Sequence, residues 1–346
     1  MTFFQSIIEW FKNQKSISNI LETPQQDFPG AILPTEAQLA EMPKFEEFVA
    51  TANPVVWKQL DMTKLPKYPV YSQNGSSSCV AMSVALIASI LYYIRTNITI
   101  MFSPAWIYQQ RSNRPSQGMI GTEAFKIASK GLLPEVLMPS QDLTEGGIDS
   151  VAVYPWYKTV ASSFAFEDTL VQLPTCDIET VASTIQTTGK PINTWFDFTR
   201  AEWTSIPVYL GTLTGLLRHS VVAITYGIWE GEHSIVIQES WGQGATAYGV
   251  YRIIKQSFFS KRNIFAAYPR RFLFDVTEDK PNYNGTIISF QRCMRSLGFF
   301  PIAVEFVESF GTQSRQACIK YQTAKGIPAT GVIGDLTKAQ LYKDFP

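Results

Sequence analysis

Between Gln73 and Tyr93 the chain passes from a polar turn, Gln73-Asn74-Gly75-Ser76-Ser77-Ser78, through a cysteine into an apolar stretch, Val80 to Tyr93. That stretch is shorter than the roughly 20 apolar residues needed to cross a bilayer. It reads as a core helix beginning at Cys79, and a helix that is apolar all round must be covered all round. A thiol in its first turn lies where the helix dipole and unpaired N–H groups favour the thiolate. Gln73, six residues upstream, carries an amide that can meet the oxyanion formed when such a thiolate attacks a carbonyl.

The 346 residues leave room for two domains. Hydrophobic residues make up 45% and charged residues 17%, a globular balance. With zero formal net charge there is no basic excess to draw nucleic acid or an anionic membrane, and both are set aside. The four cysteines, Cys79, Cys176, Cys293 and Cys318, and the two histidines show no metal-ligand spacing, so neither a metal nor a cofactor is expected. Cys293 and Cys318 are close enough in sequence to bridge, but read better as buried small apolar residues. The N-terminal Phe3, Phe4, Ile7, Ile8, Trp10 and Phe11 are amphipathic. Glu9 interrupts them, and no basic region or small-residue cleavage site is present, so a signal peptide is not expected.

Residues 1–55 read as an arm, with an amphipathic helix over 1–14, a helical piece from Glu36 to Ala50 and several prolines. The arm is expected to pack on its own catalytic domain or on a partner. Residues 56–273 form the main domain. Helices are expected at Cys79–Thr96, Ser103–Arg111 (Ser103-Pro104 is a cap followed by a first-turn proline) and Thr122–Lys130 before Gly131. Strands are expected at Pro191–Phe196, Ser220–Tyr226, Ser234–Glu239 and Gly249–Ile254. Helices first and strands second imply an α+β domain with a cleft between the halves. Residues 274–283 read as a linker, and 284–346 as a small all-α domain.

A thiol nucleophile needs a base, and a base needs an orienting group. His219 opens a core-like strand, whereas His233 sits in a turn and reads as solvated, so His219 is the expected base. Glu239 ends the neighbouring strand, where a carboxylate can hold the imidazole.

These blocks resemble the papain-like cysteine peptidases. Gln73 to Ser83 is similar to that family's glutamine-to-cysteine block, and Phe102-Ser103-Pro104 to its next helix start. Gly118-Met119-Ile120-Gly121 is similar to its glycine loop, His219 to Gly227 to its histidine strand, and Glu239-Ser240-Trp241-Gly242 to its Asn-Ser-Trp-Gly block. Tyr248 to Ile253 resembles the family's closing strand. The resemblance implies a two-lobed fold, a helical lobe followed by an antiparallel sheet or barrel lobe, with Cys79 as nucleophile and His219 as general base and acid. Gln73 and the Cys79 N–H would form the oxyanion hole, and Gly121, Ile120 and Ser220 would line the substrate site. Trp241 would shield the histidine from water.

The departures carry expectations too. Glu239 replaces an asparagine and should raise the histidine pKa, favouring the thiolate–imidazolium pair. Ser76 and Met119 stand where the family has a disulfide, which suits a setting that is not oxidising. Val80 replaces a tryptophan, and Ile120 one of the paired glycines. Arg218 is expected to pair with Glu239 or to favour an acidic substrate group.

Phe290-Gln291, Phe310-Gly311, Tyr321-Gln322 and Thr330-Gly331-Val332-Ile333-Gly334 closely resemble the peptidoglycan-binding domain of wall hydrolases. The expected protein is therefore a Cys-His-Glu endopeptidase directed to wall peptide. A place in a bacteriophage particle or at the host wall is expected, with the arm docking on virion proteins. The alternative is a weak or inactive papain-like scaffold.

Overall fold

The computed structural model describes residues 30–40, 54–164, 169–204, 208, 217–242, 246, 248–270, 286–301, 304, 307 and 309–344. The expected helix at 1–14, the second half of the expected helix Glu36–Ala50 and the expected linker at 274–283 lie outside them. The elements divide into a larger unit and a smaller C-terminal one.

The larger unit opens with a two-residue strand β1 (Ala31–Ile32) and a short helix α1 (Glu36–Ala40). Helices α2 (Cys79–Thr96) and α3 (Pro104–Tyr108) follow, then β2 (Met119–Ile120) and α4 (Gly121–Lys130). Two further short helices, α5 (Glu145–Ser150) and α6 (Tyr157–Ser162), complete the helical half. From there the order is β3 (Thr169–Gln172), α7 (Ile178–Thr188), β4 (Ile192–Phe198), α8 (Arg200–Thr204), β5 (Leu217–Trp229), β6 (Glu232–Gln238), β7 (Tyr251–Lys255), α9 (Gln256–Arg262) and β8 (Asn263–Arg270). The six strands β3 to β8 make one sheet in the order β3-β8-β4-β5-β6-β7. The β4–β5, β5–β6, β6–β7 and β4–β8 pairs are antiparallel. This is the expected α+β arrangement, helices first and antiparallel sheet second.

Helix α2 occupies the expected residues, and its burial explains why. No residue from Cys79 to Leu91 is more than 3% exposed. A helix with so little water contact is stabilised by what covers it. Ser83 Oγ donates to the Ser220 carbonyl at 2.9 Å, tying α2 to β5. Ser103 caps α3 as expected, accepting from the Trp106 N–H at 3.3 Å and donating to the Met138 carbonyl at 2.7 Å. Helix α3 ends at Tyr108, short of the expected Arg111, because Arg111 is turned inward to Asp149.

On the sheet side, β5 is longer than expected, and His219 lies inside it opposite Phe196 rather than before it. His233 is in β6, not in a turn. It stacks on Trp57 at 3.8 Å and pairs with Glu179 at 2.8 Å, so the solvated-turn reading is corrected. Helices α7 and α9 and strand β8 had no strong sequence signal. They supply Val181, Ile185, Phe258, Phe259 and Ala266 to the core beside the sheet.

In the smaller unit, α10 (Thr286–Ser296), α11 (Thr312–Ala324) and α12 (Asp335–Asp344) surround Phe290, Met294, Tyr321 and Leu341. Two buried amides organise its loops. Gln322 donates to the Val332 carbonyl and to Thr337 Oγ1, each at 2.8 Å, and accepts from the Gly331 N–H. Gln291 donates to Ser314 Oγ at 2.9 Å and accepts from the Val307 N–H. Cys293 and Cys318 are both buried and unbridged, in keeping with the apolar reading.

The two halves of the larger unit meet at a glycine. A Cβ on Gly121, the first residue of α4, would lie 2.4 Å from the Trp195 ring of β4. Trp195 cannot yield easily, because it is fully buried and its indole N–H donates to Asn193 Oδ1 at 2.8 Å. Gly121→Ala is therefore expected to cost about 1–3 kcal/mol of stability through overpacking, read as a lower urea midpoint with an unchanged m-value.

Candidate active site

Cys79 is the first residue of α2. Ser78 at the N-cap gives no side-chain cap, which leaves the first-turn N–H groups facing the thiol side. The thiol also meets the backbone of Ser220, the residue after His219. Thus the Ser83–Ser220 tie between α2 and β5 holds Cys79 against the residue that follows His219. The preceding turn is held in place by Asn74 and Gly75, both in the left-handed region at φ 33° and 75°. It is docked on the segment just after β6 that carries Glu239. Gln73 N–H donates to the Ser240 carbonyl at 2.8 Å, and Gln73 Oε1 accepts from Ser240 Oγ at 2.6 Å. Gln73 Nε2 donates to the Ser76 carbonyl at 3.0 Å, so the amide is oriented within the Cys79 turn.

His219 is buried among aromatic rings. Trp241 lies 5.3 Å away, Trp203 5.9 Å and Phe198 6.2 Å, centroid to centroid. Trp241 therefore sits where a shield for the histidine is expected. Trp203 does the same from α8 and was missed, because no local pattern marks it.

Glu239 is fully buried but does not hydrogen-bond the imidazole. Its Oε1 accepts from Arg252 Nε at 2.5 Å and from the Trp203 indole N–H. Both Glu239 Oε2 and His219 Nε2 are buried without a hydrogen-bond partner. Arg218, expected near Glu239, instead pairs with Asp197 at 2.8 Å.

The electrostatics differ from expectation in the same way. Burial lowers the His219 pKa to about 3, with Arg252 adding to the effect. Burial pushes the Cys79 thiol up to about 12, against hydrogen bonds from the Ser220, Val80 and Cys79 backbone. The pair is a neutral thiol and a neutral imidazole, not the expected ion pair. Charge is disfavoured because water is excluded: Gly30 lies over the thiol, and Trp241, Trp203 and Phe198 surround the imidazole.

A Cβ on Gly30 would lie 2.4 Å from Cys79 Sγ, so the arm crosses directly over the nucleophile. Its continuation β1 pairs in parallel with β2, Ala31 opposite Met119 and Ile32 opposite Ile120, and the Met119 N–H donates to the Gly30 carbonyl at 3.2 Å. Residues Gly30 to Ile32 of the arm thus pack on the main domain. Met119 and Ile120 provide the backbone edge that accepts an extended strand. Gly121 follows them, with its Cα side packed on Trp195. Ser220 is not a cleft side chain, since its Oγ accepts from Asn193 Nδ2 at 3.0 Å; only its backbone reaches the thiol.

Among the described residues no group of His, Cys, Asp or Glu is placed to hold a metal, and no helix is long and apolar enough to cross a membrane.

Residues 56–270, more than half of the chain, match the family model for "Papain family cysteine protease". The chain belongs to the papain family of cysteine proteases. Residues 284–341 match a second model, "Putative peptidoglycan binding domain". Xylellain, a cysteine protease from Xylella fastidiosa, is similar in structure at a TM-score of 0.54 and 18% identity, over 74% of this chain and 100% of that one. Digestive procathepsin L2 from the larval midgut of Tenebrio molitor is similar at a TM-score of 0.54 and 19% identity, over 70% of this chain and 78% of that one. At such identities the likeness is one of fold. No curated protein matches the chain.

As a papain-family chain it is unusual in that no disulfide joins any of its four cysteines. A hydrogen-bond relay spans the gap. Glu145 Oε2 accepts from the Ser77 N–H at 2.6 Å, and Glu145 Oε1 accepts from the Tyr108 hydroxyl at 2.6 Å. Tyr108 Oη in turn accepts from the Gly118 N–H at 3.0 Å. Ser77 and Gly118 adjoin Ser76 and Met119, so the relay joins the nucleophile turn to the β2 edge. Arg111, stacked 3.8 Å over the Tyr108 ring and paired with Asp149 at 2.7 Å, holds it from behind.

Removing relay atoms should loosen its two ends selectively. Tyr108→Phe is expected to speed amide exchange at Gly118 by about tenfold, the worth of one hydrogen bond, and to leave Ser77 unchanged. Glu145→Ala should speed both. Hydrogen exchange measured residue by residue distinguishes the two patterns.

Proposed function

We propose that the protein is a latent thiol endopeptidase whose arm must leave the cleft before substrate enters. The observation that carries this reading is the placement of a peptide backbone, Gly30 to Ile32, across Cys79 and along the β2 edge. A site that takes its own chain in extended form is shaped for a peptide.

With the arm displaced, water returns to the pair. The imidazole of His219 takes the Cys79 proton, and Sγ attacks the scissile carbonyl carbon. Gln73 Nε2 and the Cys79 N–H stabilise the oxyanion. Collapse breaks the C–N bond, the leaving amine takes the proton from His219, and water then hydrolyses the thioester. Glu239, through its unpartnered Oε2, orients His219 in a Cys-His-Glu site. The peptidoglycan-binding-type domain would hold the enzyme at cell-wall polymer and raise its local concentration there. Peptidoglycan peptide or a wall-associated protein is then the substrate class. The pairing of these two domains also fits a lytic or virion-associated phage enzyme acting at the host wall.

The covered thiol and the Arg252-bound Glu239 favour one other reading, an inactive scaffold. Alkylation of Cys79 in the full chain separates the two. Wild type should react slowly, Gly30→Val at least tenfold faster because its Cβ cannot share space with Sγ, and Cys79→Ala not at all. Loss of the fast phase in Gly30→Val/His219→Ala supports an activated thiol. Alkylation of Gly30→Val at the rate of a free thiol, whether or not His219 is present, would sink the peptidase reading.

The His219 environment gives the sign of a pH effect. Its pKa is depressed in the covered state, to about 3 against an ordinary 6.5. Below pH 6.5 an uncovered imidazole binds a proton that the covered one refuses, so acid favours opening, by up to about 1.4 kcal/mol per pH unit. The fraction of wild-type chains with Cys79 open to alkylation should therefore rise as pH falls from 6.5 toward 4, after correction for the thiol's own reactivity. His219→Ala should flatten that rise.

A further inference from the structure

Arg252 enters the site from β7, where it lies opposite Ile237 of β6. Its side chain is 2% exposed and that of Glu239 0%. Arg252 Nε donates to Glu239 Oε1 at 2.5 Å, and an Nη1 hydrogen bond reaches the Trp203 carbonyl. The guanidinium carbon lies 5.4 Å from the Trp203 ring and 5.5 Å from the Trp241 ring. These are the two indoles that flank His219. One cluster therefore holds a cation, a carboxylate and an imidazole, with one atom each of the last two unpartnered.

A carboxylate alone in such a site would cost several kcal/mol in lost hydration. A guanidinium keeps its proton in proteins, so a neutral Glu239 would leave Arg252 as a bare cation among indoles. Burial pushes the Glu239 carboxyl up and Arg252 opposes it. A contact of 2.5 Å has the length of a charge-assisted bond, and the ionised pair satisfies both groups. The pair is then neutral in sum, yet it still offers Oε2 as an acceptor.

We propose that Arg252 is a positioning residue of the active site: it binds and neutralises the Oε1 side of Glu239, so that Oε2 serves as the acceptor for His219 Nε2–H without presenting it a net charge. Two residues together do what one amide would do. The inference rests on reading Cys79 and His219 as the reacting pair. The other charged groups around His219 are already matched: Asp197 with Arg218 on β4 and β5, and Glu202 with Arg262 at 2.6 Å beside Trp203. Cys79 faces it from α2, with the more distant Glu145 acting on the thiol.

The chain has only two histidines, so nitrogen NMR of the imidazoles can follow His219, with His233→Gln for assignment. The full chain carrying Gly30→Val is used, so that the site is open to water, and the pH profile of Cys79 alkylation is measured alongside. Glu239→Gln leaves the cation uncompensated and should lower the His219 pKa. Arg252→Met leaves the anion and should raise it, each by about one unit. Glu239→Gln/Arg252→Met should return to within about half a unit of the parent, and Arg252→Lys should stay near the parent as well. If Arg252→Met does not fold, the double variant still has to titrate about one unit above Glu239→Gln. Shifts of the same sign, or none, overturn the role of Arg252 while His219-dependent alkylation persists. Loss of that dependence in the Gly30→Val parent overturns the underlying reading instead.

Discussion

Helix α2 has almost no face in water, and the rest of the larger unit is arranged around that fact. Its covering includes β5, joined through Ser83 and Ser220. The bond fixes the first turns of the helix against the fourth residue of the strand, so Cys79 and the His219–Ser220 stretch are held near one another by core packing. Loops then need only carry the second-rank groups: Gln73 in the turn before the helix, and Trp241 after β6. A site built this way is as rigid as the core beneath it.

Dryness gives that site its charge state. Burial pushes the Cys79 thiol up and the His219 imidazole down, which favours the neutral form of each. The same dryness makes an unpaired carboxylate at position 239 untenable, and Arg252 answers it. Charge is admitted to the centre only in matched pairs, Glu239 with Arg252 and Asp197 with Arg218. Among the described residues of the arm, the smallest, Gly30, is the one that lies against the Cys79 sulfur.

Much of this could be read along the chain. The beginning of α2 follows from a polar turn meeting an apolar run, and Ser103 announces α3 by its cap. The choice of His219 over His233 followed from the apolar strand after it, although His233 proved to be in a strand as well. What could not be read was pairing across distance. Glu145 meets the Ser77 amide from 68 residues away, and Trp203 meets Glu239 from 36. Nothing local marks either. Arg252 did carry a signal: β-strand alternation turns it inward between neighbours, and an inward cation needs an anion. Glu239, two positions beyond the partner of Arg252 in β6, was the available one. The close approach of Trp195 to Gly121 was likewise hidden, because a glycine that lets a ring approach and a glycine that bares an edge look alike in sequence.

The Glu145–Tyr108 relay has a practical meaning for a chain whose working group is a thiol. Reductant that keeps a thiol reduced can also open a strained or exposed cystine. Here the brace is two acceptors and a hydroxyl, which thiols do not touch. Conditions that keep Cys79 competent therefore leave its surroundings intact, and the molecule faces no conflict between guarding its nucleophile and guarding its shape.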